Sequence, residues 1–138
     1  MNGLSFEEIY AAAKIIWGDK ATAERITVQA NSILNQAKKR KPSLFFGRRA
    51  TVIIGGLFYL LSYRENKAIK QKELALKIGT SEMTIRASYR RWLLSFPDLF
   101  SDVASIMAQD YNLKYFVLSA YKKNQDEKPM AQIVNCRV

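Results

Sequence analysis

Met83, Arg86, Ala87 and Arg90 stand at i, i+3, i+4 and i+7, a spacing that gathers them on one face of a helix. Arg86 carries the chemistry of that face. Its planar guanidinium can give two parallel hydrogen bonds to a guanine edge in the major groove of double-stranded DNA. Met83 offers an apolar contact for a thymine methyl group, and Ala87 is small enough for close approach to a groove. Around them lie Arg90, Arg91, Lys70 and Lys72, with the hydroxyls of Ser81 and Thr84, all suited to phosphate oxygens; Arg48 and Arg49 add two more cations earlier in the chain. The same pattern has a plainer reading, an ordinary helical hairpin with a solvated basic face.

Other chemistries are poorly supplied. The 138 residues contain no histidine, the usual general base and the commonest metal ligand, and one cysteine, Cys136. A lone cysteine makes neither an internal disulfide nor a thiolate zinc site. The acidic residues form no inward-facing pair: Glu7 and Glu8 are adjacent, and Asp126 and Glu127 fall in a polar connection. The expectation is a binding protein, not an enzyme, with no cofactor and no metal. A net charge of +10, from 22 basic and 12 acidic residues, favours a polyanionic partner through counterion release. With 49% hydrophobic and 25% charged residues the chain suits one globular domain. The N-terminus lacks the basic and apolar regions of a signal peptide, so an intracellular location is expected, archaeal cytoplasm or eukaryotic nucleus. The apolar run at residues 50–63 is shorter than the roughly 20 residues of a membrane span and reads as a buried helix.

The elements that must position Arg86 are five helices. Ser5 and Glu8 have capping-box spacing, followed by an apolar face of Phe6, Ile9, Tyr10, Ala13, Ile16 and Trp17, and Gly18 ends the first helix. The second runs from about Lys20 to Lys39 with Ala23, Ile26, Ala30, Ile33, Leu34 and Ala37 inward. Its closing run, Lys38, Lys39, Arg40 and Lys41, suits both the helix macrodipole and phosphate. Pro42 breaks it, and residues 43–47 read as a loop. The third helix, residues 48–64, is apolar nearly all round and carries Gly55 and Gly56 in its middle, which implies close approach of a neighbouring helix. The fourth, residues 70–78, has Leu74, Ala75 and Ile78 inward and Gly79 at its C-cap. Thr80 or Ser81 caps the fifth, residues 81–94, which buries Ile85, Tyr89, Trp92 and Leu93. A short helix, a small residue, a permissive glycine and a basic second helix together spell a helix-turn-helix over residues 70–94. Within residues 97–113 lies a further weakly amphipathic stretch. Residues 114–121 and 130–138 read as a β-hairpin, with a helix at 113–123 as the rival. The fold class expected is therefore all-α: a five-helix domain at residues 1–97, then an extension, 98–138, holding a short helix and a hairpin.

These residues resemble the second cyclin-fold repeat of the transcription factor IIB family, which archaea share as transcription factor B. The likeness covers about Ser5 to Phe100. It rests on Gly47-Arg48 before the buried helix, on Gly55, Gly56 and Tyr59 within it, and on Gln71-Lys72-Glu73 opening the helix-turn-helix. Thr84-Ile85-Arg86 and Ser88-Tyr89-Arg90 follow, then Pro97-Asp98-Leu99-Phe100. The resemblance implies a cyclin-like repeat that binds promoter DNA beside a TATA element. Arg86 and Met83 would sit at base-contacting positions, and the loop before the third helix would lie near the DNA backbone. It also implies the TATA-binding protein as a partner. The departures are Ala50 where the family has Pro, Arg49 where it has Ser, and the lack of the zinc ribbon and first repeat. The expectation is a small DNA-binding regulator of transcription, not a complete initiation factor; the alternative is a cyclin-fold adaptor that binds proteins without reading DNA.

Overall fold

The computed structural model describes residues 4–109, and these are all-helical, with no strand among them. The order is α1 (Phe6–Trp17), α2 (Lys20–Arg40), a 3-10 turn (Pro42–Phe45), α3 (Ala50–Arg64), α4 (Gln71–Ile78), α5 (Glu82–Ser95) and α6 (Ser101–Met107). The expected hairpin at residues 114–138, and Cys136, lie outside the described residues. No described helix is long and apolar enough to cross a membrane.

Local chemistry sets the first turns. The Ser5 hydroxyl accepts from the Glu8 amide at 3.2 Å, and Glu8 accepts from the Ser5 amide at 2.9 Å, completing a capping box. Gly18, at φ 71°, ends α1 in the left-handed region, and the Asp19 carboxylate caps α2 by accepting from the Thr22 amide. Two residues thus reverse the chain and lay α1 against α2. Lys77 donates to the Ile16 carbonyl at 3.0 Å and ties α4 to the C-terminal end of α1. Phe6, expected on the inner face of α1, stays 43% exposed at its open end.

α3 is the centre of the molecule, and residues 53–62 are all buried. It begins at Ala50 instead of residue 48, because Arg49 keeps an extended backbone as its N-cap. Residues 42–47 are not wholly loop: Pro42 opens the 3-10 turn, which sends Leu44 into the core. α5 crosses α3 where the two glycines remove side chains. A Cβ on Gly56 would collide with the Ser88 side chain and with the backbone of Ser88 and Tyr89; one on Gly55 would meet the Ile85 tip at 2.8 Å. Ser88 donates to the Val52 carbonyl at 2.5 Å and accepts from the Gly56 amide at 3.1 Å. One turn later the Trp92 indole donates to the Ile53 carbonyl at 2.9 Å.

α6 closes the far side. Val103, Ala104 and Met107 are buried, and Phe100 meets Trp92 edge to face, centroids 6.1 Å apart. Arg64, the last residue of α3, donates to both carboxylate oxygens of Asp102 and to the Leu99 carbonyl. Arg40 makes a two-bond pair with Asp98, both at 3.0 Å, and covers the Phe96 ring. One member of the basic run at residues 38–41 therefore serves the fold.

Two outcomes test this packing. Gly56→Ala should lower unfolding free energy in urea by about 1–3 kcal/mol or more, because backbone cannot retreat as a side chain does. Gly55→Ala should cost distinctly less, since isoleucine tips can move and alanine regains roughly 1 kcal/mol of helix propensity. Equal losses would contradict the geometry.

Tyr89 supplies the second test. Its buried hydroxyl has no hydrogen-bond partner among the described residues, and desolvation, with the nearby Tyr59, pushes its pKa up to about 12. A folded-state pKa above the unfolded value near 10 means stability is fully present below pH 10 and falls as pH rises towards 12. Tyr89→Phe should leave stability at pH 7 unchanged or raised, and should flatten the decline above pH 10 relative to the parent chain in parallel thermal melts.

Candidate nucleic-acid interface

The α4–α5 pair is joined by three residues, Gly79, Thr80 and Ser81. Gly79 lies at φ 77°, ψ 41°, where an L side chain is strained, and its amide bonds back to the Ala75 carbonyl. The Thr80 amide bonds to the same carbonyl at 2.9 Å, so two donors lock the turn. Ser81, not Thr80, is the N-cap of α5: its hydroxyl accepts from the Thr84 amide at 3.1 Å and lies 2.8 Å from the Thr84 hydroxyl. The Ser81 hydroxyl, expected to meet phosphate, is thus engaged in capping the helix, and the Thr84 hydroxyl is hydrogen-bonded to it.

The inner face of α5 is Ile85, Ser88, Tyr89, Trp92 and Leu93, all buried. Helical geometry then turns Met83 and Ala87 outward; Met83 is 73% exposed. Arg86 is half-buried, and its guanidinium lies 3.6 Å from the Glu82 carboxylate one turn back. That is a loose, solvent-screened pair of small energetic weight, which a phosphate or base edge can replace. Arg90 is half-buried on the same helix.

Arg48, in the turn before α3, and Arg91, on α5, are both half-buried. Arg48 donates to the Leu44 carbonyl at 2.9 Å, which fixes its side chain beside the start of α3. Arg91 is held below the usual guanidinium range, first by desolvation and then by the positive charge of Arg48. Arg49 is exposed at the N-cap of α3, whose first turn contains no acidic residue.

Lys70 and Lys72 are exposed at the start of α4, Lys70 as its N-cap. Gln71 between them donates to the Tyr59 hydroxyl at 3.2 Å, which pins this end of α4 to the middle of α3. No described contact joins the two lysines to the outer face of α5.

Phe46 was not singled out from the sequence. It is 71% exposed, two residues before Arg48, while Phe45 turns inward against the Trp92 ring. An aromatic pair beside Gly-Arg-Arg was the available signal: of two neighbouring rings in a tight turn, one faces away from the core. Ser88, between Ala87 and Tyr89, belongs to the interior. Among the described residues no three acidic or cysteine side chains gather as a metal site. Comparison with family models, with curated proteins and with solved structures returned no match.

The cap that presents this face can be tested directly. Ser81→Ala should cost about 1 kcal/mol, read as a lowered melting temperature, since it orphans the Thr84 amide. Ser81→Asp should restore most of the loss, because a carboxylate at this position both caps and suits the helix dipole.

Proposed function

We propose that this chain is a DNA-binding regulator of transcription, a single cyclin-like repeat whose α4–α5 pair acts as a helix-turn-helix and places α5 in the major groove. The observation that carries this reading is the geometry of α5, whose buried Ile85, Ser88, Tyr89, Trp92 and Leu93 turn Met83 and Ala87 to solvent with Arg86 half-buried between them. Arg48 and Arg91, both half-buried, add positive charge beside that helix. This local charge and the net charge of +10 favour a polyanionic partner.

In this role Arg86 releases Glu82 and reads a guanine edge, with Met83 against a thymine methyl and Ala87 allowing close approach. Arg48, Arg49, Arg90 and Arg91 neutralise phosphates near α5 and the start of α3, and Lys70 and Lys72 do so at the start of α4. Phe46 joins Arg49 as the exposed tip of the turn before α3. The likeness to the second repeat of transcription factor IIB supports a promoter-like target and the TATA-binding protein as a partner. The chain works by binding, inside the cell, without a reaction of its own.

Selection of bound sequences from a random DNA pool should enrich a purine-rich site beside a TATA-like element. On that site Arg86→Ala should lose about 1–3 kcal/mol and relax preference at one position. Arg49→Ala and Lys72→Ala should weaken binding on all sequences alike, and each should reduce the slope of log affinity against log salt by about one. Equal loss on every sequence for Arg86→Ala would remove the base-reading role. Failure to bind any DNA by about 100 μM at physiological salt would overturn the proposal, since even non-specific binders reach that range.

A further inference from the structure

Most of the carboxylates among the described residues are engaged. Glu65, Glu73, Glu82, Asp98 and Asp102 pair with Arg25, Lys77, Arg86, Arg40 and Arg64. Glu8 and Asp19 accept hydrogen bonds at helix N-termini. Among the described residues Glu7 and Glu24 alone have neither an ion pair nor a hydrogen bond, and both line one groove between α1 and α2.

The rest of that groove is largely apolar. Its α1 wall is Phe6 and Tyr10, one turn apart, with Glu7 beside them; its α2 wall is Lys20, Glu24 and Val28 at successive turns. Phe6 is 43% and Val28 57% exposed. The groove has a volume of about 620 Å³ and is open to solvent. From Lys20 to Val28 its rim runs about 12 Å at 1.5 Å per residue, the length of two turns of a docked helix.

We propose that the α1–α2 groove binds a basic amphipathic helix of a partner protein. Apolar side chains of that helix lie against Phe6, Tyr10 and Val28, and a Lys or Arg reaches between Glu7 and Glu24. Charge complementarity selects this occupant. The two unspent carboxylates flank aromatic rings, whose faces also attract a cation, while Lys20 at one end repels a second one and sets the direction of the helix. Helix-in-groove recognition takes this form, with anchors one turn apart and charges at the edge.

The test uses the full-length chain and a displayed library of random peptides about 16 residues long, roughly four helical turns. Selection should enrich peptides with Leu, Ile or Phe at i, i+3 or i+4 spacing and Lys or Arg beside them. Enriched peptides should bind Glu7→Lys/Glu24→Lys and Val28→Asp roughly tenfold or more weakly. All three positions are exposed, so circular dichroism should show the parent's helix content, with a small loss of melting temperature for Glu7→Lys/Glu24→Lys because Glu7 lies in the first turn of α1, and DNA binding should persist in Val28→Asp. No enrichment over the double variant, acidic peptides in the enriched pool, or equal affinity for the variants would overturn the proposal. Self-association of the parent in sedimentation equilibrium, abolished by Glu7→Lys/Glu24→Lys, would overturn it in favour of a second copy of this chain.

Discussion

Contact between the backbones of α3 and α5 at Gly56 and Ser88 governs the rest of the structure. Removing the side chain at position 56 brings the helices so close that the Ser88 hydroxyl reaches the Val52 carbonyl and the Gly56 amide, two groups one helical turn apart on α3. The Trp92 indole repeats the device one turn further along α5, on the neighbouring Ile53 carbonyl. Two polar anchors on successive turns fix both rotation and register, which apolar packing alone specifies less sharply. With Ser88 and Trp92 held inward, the 100° step of the helix leaves Met83 and Ala87 no direction but outward. The orientation of the candidate reading face follows from the interior.

Whatever is local was legible in the sequence. The capping box of Ser5 and Glu8, the left-handed glycines at 18 and 79 and the Ser81 cap all depend on residues within one turn of one another. The order of helices follows from them. Adjacent glycines in a run of apolar residues also announced a close approach. Its partner was hidden, because a serine among arginines reads as surface until the crossing is known. Arg40 and Arg64 likewise read as a basic run and a helix end. Their acceptors, Asp98 and Asp102, lie 58 and 38 residues along the chain, so no local pattern could pair them. The proximity of Arg48 and Arg91 is tertiary in the same sense, and Phe46 was overlooked because its exposure depends on which of two adjacent rings the core accepts.

Charge is divided between two uses. Arg25, Arg40, Arg64 and Lys77 bind elements together through carboxylates or carbonyls at long sequence separation. Arg48 bonds only locally, to the Leu44 carbonyl, Arg91 lies half-buried on α5, and Glu7 and Glu24 stand outside ion pairs at the α1–α2 face. Among the described residues most carboxylates are engaged internally while many cations lie outside ion pairs, so the outward character is cationic, with two carboxylates set apart in one groove.

The juxtaposition of Arg48 and Arg91 gives ionic strength two opposed effects. Within the free molecule, added salt screens the repulsion between the guanidinium groups. Towards a phosphate backbone, the same salt removes the entropy gained by releasing counterions and loosens the complex. A bound polyanion and a concentrated electrolyte are therefore alternative sources of counter-charge for the same basic groups.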